Sequence, residues 1–347
     1  MPEGHTVHRL AHAFGELFGG QSLAVSSPQG RFADGAALLD GTVLRGTEAH
    51  GKQLFLAFAP DGAPRSADHP DGPGGHDVRW LRVHLGLYGS WTFAGDETFH
   101  APHAIGAPRR RVGEEETPLA ASPDEDEGMD LADGGVDLAD ADAPGPSTPG
   151  VPDGGWPGTA APWHAPDPRG AVRVRLLGEH GVADLTGPTA CEVITDVEKS
   201  AVHARLGPDP LRADGDREAF VRAVRARRRA IGELLMDQSV IAGVGNIYRA
   251  EALYRARVHP LRLGRDVPAA RLRAIWDDLA VLMADGVATG RIVTTRPEDR
   301  RDPEDRWYVY HRSGRPCLVC GSKVSEAPMA GRRLFWCPRC QRAPRRS

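Results

Sequence analysis

Several absences bound the sequence before any motif is read. No run of about 18 apolar residues occurs, so no helical membrane span is expected. The opening residues, MPEGHTVHRL, hold no apolar core of the kind a secretion signal needs, which points to the cytoplasm. Lysine is nearly missing: Lys52, Lys199 and Lys323 stand against forty arginines. With Ala, Gly and Pro abundant, that ratio reads as the codon bias of a GC-rich genome, and each remaining lysine asks for a reason. Basic residues are absent from 113–142, which hold twelve Asp or Glu. Removing those twelve acids turns the net charge of −4 into +8. From Trp307 onward nine Arg or Lys face a single acid, Glu326. Such asymmetry predicts a basic binding surface beside a solvated acidic segment.

The length of 347 residues allows two or three domains. Val7, Leu10, Ala11, Phe14 and Leu17 form a helical stripe over 6–18, closed by Gly19-Gly20. Strand patterns follow, in Thr42–Phe58 (broken by His50-Gly51) and Val78–Phe93. Residues from about 100 to 169 are rich in Pro, Gly, Asp and Ala and poor in large apolar side chains, so a disordered insertion is expected. Strand signal resumes at Ala171–Leu177. After Thr195 the pattern is helical: Glu218–Arg228, Ile231–Met236, Ile247–Arg257 and Ala269–Asp285, the last with a core stripe of Leu272, Ile275, Trp276, Leu279, Leu282 and Met283. Short strands around cysteines end the chain. The expected class is α+β multidomain.

Cys317-x2-Cys320 and Cys337-x2-Cys340 are sixteen residues apart, a spacing that suits one tetrahedral zinc. Disulfides are the alternative, but nothing indicates secretion. No further ligand is implied, so the expected cofactor is one structural Zn2+ that gives a small hairpin the cohesion its own core cannot supply. Cys191 stands alone and reads as a small buried residue. Arg332 and Arg333 lie between the two knuckles and are candidates for entering a polyanion.

The second residue is Pro2, followed by Glu3. Removal of the initiator methionine leaves a secondary amine that can attack an aldehyde-like carbon and form an iminium. An amine of this kind, with a pKa of about 7.7–8, is partly neutral at pH 7. Glu3 is placed to move a proton near the same atoms. His5, His8 and His12 cluster on the first helix; partly exposed helix histidines are expected there rather than a metal site.

Several segments together resemble the formamidopyrimidine-DNA glycosylase and endonuclease VIII family. Pro2-Glu3-Gly4 is similar to the endonuclease VIII start, His50-Gly51-Lys52-Gln53-Leu54 to the turn that carries the family's lysine, and Val83-His84-Leu85-Gly86-Leu87-Tyr88-Gly89 to its void-filling loop. Asp237 to Tyr248, which contains Gly243, Gly245 and Asn246, resembles the helix-two-turn-helix signature. Arg332 falls five residues before Cys337, where the family's zinc-finger arginine lies. The resemblance covers about 1–100 and 170–347. It implies an N-terminal β-sandwich with an N-terminal helix in 1–194 (interrupted at about 100–169), a helix-two-turn-helix domain in 195–305 and a zinc-finger β-hairpin in 306–347.

The implied activity is excision of oxidised bases from DNA followed by strand cleavage. Pro2 would be the nucleophile and Glu3 the general acid. Lys52 would donate a proton and touch phosphate, with a nucleophilic role as the alternative. Arg332 would hold the phosphate near the lesion. Leu87 and Tyr88 would fill the space left by the flipped nucleotide, while Gly243, Gly245 and Asn246 would grip phosphates. Thr6 departs from the pattern, since many members carry a second glutamate there. The start, the Leu87-Tyr88 pair and His311-Arg312 lean towards oxidised pyrimidines, with oxidised purines as the alternative. A monomer acting on duplex or single-stranded damaged DNA, in a bacterial cytoplasm on the nucleoid, is the expectation. A catalytically inactive damaged-DNA binder and a zinc-ribbon transcription factor are the rivals. The first leaves Pro2, Glu3 and Lys52 without a purpose, and the second leaves the first hundred residues without one.

Overall fold

The N-terminal stripe forms α1 (Gly4–Phe18), which buries Val7, Leu10, Ala11, Phe14 and Phe18 and starts two residues earlier than its apolar spacing indicates. The reason is a partner elsewhere in the chain: the N–H of Gly4 donates to the carbonyl of Gly243 at 2.8 Å, satisfying a first-turn donor that a short peptide would leave to water. The computed structural model describes residues 2–62, 78–107 and 163–343. Beyond α1 the N-terminal part contains β1 (Ala24–Ser26), α2 (Ala33–Leu39), β2 (Val43–His50), β3 (Gln53–Ala59), β4 (Arg79–His84), β5 (Ser90–Gly95), β6 (Ala104–Gly106), β7 (Val172–Leu177), β8 (Gly181–Thr186) and β9 (Ala190–Ile194).

These strands make two antiparallel sheets, ordered β1-β7-β8-β5-β6 and β2-β3-β4-β9. Alternation along β7 turns Val172, Val174 and Leu176 inward, as a half-buried strand requires. A shared core of Phe14, Leu54, Leu56, Trp91, Phe93 and Leu185 lies between α1 and the two sheets. The run Val78–Phe93 is not one strand: β4 belongs to one sheet and β5 to the other. The crossing at residues 85–89 carries Leu87 and Tyr88. The expected insertion also begins too early, because Ala104–Gly106 pairs with β5 as an edge strand. Of the rest of that expectation, 108–162 lie outside the described residues, and 163–169 carry no helix or strand.

Thr195 and Glu198 exchange side-chain and backbone bonds in a capping box that starts α3 (Asp196–His203). Then follow α4 (Arg217–Arg225), capped by Asp216, α5 (Ile231–Leu234), α6 (Asn246–Arg255) and α7 (Ala269–Thr289), which ends on left-handed Gly290. The strands β10 (Ser325–Met329) and β11 (Arg332–Trp336) form a hairpin whose turn residues, Ala330 and Gly331, both have positive φ. The helices and this hairpin share one core, with Phe220, Leu253 and Leu279 packed in the same cluster as Tyr308, Tyr310 and Phe335. Glu251 lies fully buried within it and accepts the N–H groups of Tyr308, Val309 and Tyr310 at 2.8, 2.8 and 2.9 Å. That carboxylate anchors the segment leading into the cysteine hairpin. Among the described residues no helix is long and apolar enough to cross a membrane.

Candidate active site

Three distant stretches of chain meet at the start of α1. Gly51 and Lys52 form the two-residue turn between β2 and β3, with Gly51 at φ +60 and His50 paired to Gln53. Asp209 holds this turn: its Oδ2 accepts the Gly51 N–H at 2.7 Å and a His8 Nε2 contact at 2.8 Å. The loop before α6 supplies the third stretch. Its Gly243 has φ +89, and a side chain on the facing Gly4 would come within 2.7 Å of the Gly243 Cα. Backbone meets backbone there because neither residue has a Cβ.

Glu3 occupies the N-terminus of α6. Its carboxylate accepts the N–H groups of Gly245 at 2.9 Å, Ile247 at 2.8 Å and, more weakly, Tyr248 at 3.4 Å. Helix N-termini favour negative charge in this way, through free N–H groups and the helix dipole. A Cβ on Gly245 would fall 2.4 Å from the Glu3 Cδ, so glycine is required. Burial dominates the acidity and pushes the Glu3 carboxyl above the usual carboxylate range, against the pull of Lys52 and the backbone donors. For Lys52 the direction is opposite: burial, with some help from Arg332, holds the ammonium below the usual lysine range while Glu3 opposes the shift. A carboxyl and an amine displaced towards each other are suited to proton traffic near neutrality.

Pro2, Lys52, Leu87 and Arg332 line one cleft of about 330 Å3 together with His84, Thr189, Met236 and Gln238. Leu87 is half-buried there, whereas Tyr88 points outward and is 70% exposed. Arg332 begins β11 at the hairpin tip. Asn246 is buried, and its Nδ2 donates to the Arg333 carbonyl at 3.0 Å. Gln238 braces the loop from within, donating to the carbonyls of Met236 and Val244 and accepting the Gly243 N–H at 3.0 Å. Gly243, Gly245 and Asn246 therefore belong to the same junction as Pro2 and Glu3.

Sequence reading placed His84, the last residue of β4, in the void-filling segment without a role of its own; burial and the cations Lys52 and Arg82 hold its pKa below the usual histidine range. Its place beside Leu87 was the available signal. The histidines of α1 need correction. His5 and His8 are buried, and only His12 is exposed; His8 is held by Asp209, and His5 packs edge-on against Tyr248. Cys191 is half-buried on β9 against the sandwich core.

The ligand atoms of Cys317, Cys320, Cys337 and Cys340 all lie within 4.8 Å of one another. The Sγ pairs 320–337 and 317–340 are 3.5 and 3.9 Å apart. A tetrahedral zinc with Zn–S of about 2.3 Å needs sulfurs separated by about 3.8 Å, and a disulfide needs about 2.05 Å. The donor set fits zinc and no disulfide. Tyr254 contributes a hydroxyl 3.2 Å from the Cys317 Sγ, an outer-sphere contact that suits a bound thiolate.

Residues 206–297 match the family model of the formamidopyrimidine-DNA glycosylase H2TH domain, and residues 314–343 match the zinc finger found in FPG and IleRS. The chain is 39% identical over 347 residues to Endonuclease 8 1 of Mycobacterium tuberculosis, covering 98% of this chain and 100% of that one. It is 35% identical over 180 residues to the formamidopyrimidine-DNA glycosylase of Roseiflexus, covering 51% of this chain and 60% of the relative. Among solved structures, the Lactococcus lactis Fpg complex with DNA containing an abasic site superposes with a TM-score of 0.62 at 17% identity, covering 98% and 100% of the two chains. MutM in complex with DNA containing carbocyclic 8-oxo-G gives 0.63 at 18% identity, covering 99% and 100%. These likenesses agree with the fold, and the full-length match to Endonuclease 8 1 settles the kinship: the chain belongs to the Fpg/endonuclease VIII family of DNA-repair glycosylases with AP lyase activity.

Proposed function

We propose that this enzyme excises oxidised bases, pyrimidines before purines, from damaged DNA and cuts the strand through a Schiff base on Pro2. The observation that carries this reading is the cleft in which Pro2, Lys52 and Arg332 meet beside the buried Glu3 carboxyl. A base within a duplex is out of reach of a protein amine, so the nucleotide must first leave the stack. Arg332 and Asn246 hold the phosphates, giving affinity that is salt-sensitive and independent of sequence, while Gly243 and Gly245, whose N–H groups go to Gln238 and Glu3, shape the loop that presents Asn246. Leu87 fills the gap in the stack, and the exposed Tyr88 ring is placed to stack on a neighbouring base.

With methionine removed, the Pro2 nitrogen donates its lone pair to the deoxyribose C1′. The ring opens, the glycosidic bond breaks and the base leaves with a proton. Glu3 supplies a proton at this stage, and Lys52 passes one while it neutralises phosphate charge. The resulting iminium makes the 2′ hydrogen acidic. Loss of that proton pushes electrons through C2′–C3′ and expels the 3′ phosphate. Each step is general acid–base or nucleophilic chemistry, for which these groups are equipped. Cys317, Cys320, Cys337 and Cys340 hold one structural Zn2+ and thereby set the hairpin that presents Arg332. We divide the working enzyme, acting as a monomer, into a catalytic sandwich (1–194), a helix-two-turn-helix domain (195–305) and a zinc finger (306–347).

A panel of oligonucleotides, each with one oxidised pyrimidine, oxidised purine or abasic site, in single- and double-stranded form, tests the reading. Faster incision of the pyrimidine lesions supports it. Faster incision at formamidopyrimidine or 8-oxoguanine assigns the other lesion class, and binding without incision leaves a damage-recognition protein.

A further inference from the structure

Arg249 takes no part in the chemistry above, yet its side chain is completely buried on α6. Burial lowers its pKa to about 10, which still leaves the guanidinium charged at neutral pH. A buried charge is costly unless its surroundings satisfy it. Among the described residues its hydrogen-bond partners are all neutral. Nη2 donates to the Asn246 Oδ1 and, at 3.2 Å, to the Arg333 carbonyl. Nη1 reaches the carbonyls of Met329 at 3.4 Å and Gly232 at 3.5 Å, and Nε has no partner. One side chain thus spans α5, α6 and both strands of the zinc hairpin. Asn246 grips the same Arg333 carbonyl through its own Nδ2 at 3.0 Å.

The residue just before that carbonyl's owner in β11 is Arg332, which lines the reaction cleft with Pro2 and Lys52. We propose that Arg249 is a positioning residue: its planar fork locks the zinc hairpin to the N-terminus of α6 and so sets where Arg332 and Asn246 meet the DNA backbone. A guanidinium suits this task because it can address acceptors on several elements at once, whereas an ammonium is a point charge on a flexible stem. An apolar side chain of similar length would fill the space and leave the Asn246 and Arg333 oxygens without that bridge. The proposal rests on the lyase reading above.

The test compares full-length, zinc-loaded R249M, R249K, R332A and the R249M/R332A double variant in single-turnover incision of an abasic-site duplex at saturating DNA. Zinc content and Tm are followed in parallel. R249M is expected to keep zinc and to react about 10²-fold more slowly, the scale of loss that a misplacement of about 1 Å produces. On the R332A background the same change should cost less than about threefold, because both variants remove one function. A stability role alone lowers Tm and leaves the two losses multiplying, which overturns the proposal. R249K should remain at least about tenfold slow, and a smaller loss overturns it too. Should R249M release zinc, R249K and its cycle with R332A decide by the same limits. An inactive wild type on this duplex defeats the lyase reading instead, which the wild-type control reveals separately.

Discussion

Glu3 Oε1 accepts the Ile247 N–H at 2.8 Å across 244 positions of sequence, so the start of α1 is fastened to the helix that begins at Asn246. In the proposed mechanism this contact joins the acid–base group to the residues assigned to phosphate binding. It also explains why Glu3 can be wholly buried, since the helix terminus replaces the water it gives up.

Loss of this carboxyl should separate the two halves of the reaction. Glu3→Gln keeps the shape but cannot supply the proton, so base excision should fall by about 10²–10⁴-fold. Incision of a preformed abasic site, which has no base to protonate, should fall much less. Gly245→Ala, whose Cβ would sit 2.4 Å from the Glu3 Cδ, should impair excision in the same pattern with zinc retained. Equal losses on both substrates would contradict the assignment.

Lys52 should shape the alkaline side of the pH profile. Its pKa is depressed because burial disfavours the ammonium, so raising pH removes its proton before the ordinary lysine value of about 10.4. Activity that needs the cation is therefore lost as pH rises, at a midpoint below that value. Lys52→Arg stays charged and should move the alkaline limb upward, even with a lower maximum. An unmoved limb in single-turnover rates would exclude Lys52.

Removing zinc should cost DNA binding before it costs the sandwich. Four sulfurs within 4.8 Å of one another cannot remain as free thiolates without the ion. A chelator, or Cys337→Ser, should release the hairpin and with it Arg332, abolishing incision at physiological salt. Circular dichroism should show the strands of the N-terminal part largely preserved. Full incision by metal-free protein would refute a zinc-dependent hairpin.

Acid should destabilise the protein through His5. Burial pulls its pKa to about 3, so between pH 6.5 and about 3 the unfolded chain binds a proton that the folded one refuses. Stability is then complete above 6.5 and falls as pH drops, by at most about 1.4 kcal/mol per pH unit from this group. Thermal unfolding of His5→Asn should show a lower Tm at pH 7 but a smaller loss on going to pH 5. Parallel curves for the two proteins would remove His5 from the acid response.

Much of this was legible in the chain. The CxxC spacing, the His50-Gly51 turn and the apolar stripe of α1 are local patterns, and each became the expected element. Legibility failed where long-range contacts decide. Glu251 and Arg249 look like solvent-facing helix positions, yet both are buried, Arg249 against the zinc hairpin and Glu251 against residues 308–310, which lead into it. A helix without a wet side was the available signal, and no periodicity identifies what dries it. His8 likewise read as a partly exposed histidine because its partner, Asp209, lies 201 residues away. The short helix α2 spans seven residues, too few for a 3.6-residue repeat to stand out.

The most direct measurement locates the covalent bond. Borohydride added during turnover of a damaged duplex reduces the iminium, and peptide mass spectrometry of the trapped complex identifies the nitrogen that carries the deoxyribose remnant. The remnant on the amino-terminal nitrogen of Pro2, with trapping lost in Pro2→Gly, is the expected result. A remnant on the Lys52 Nζ, or a methionine retained ahead of Pro2 in fully active protein, would contradict the mechanism.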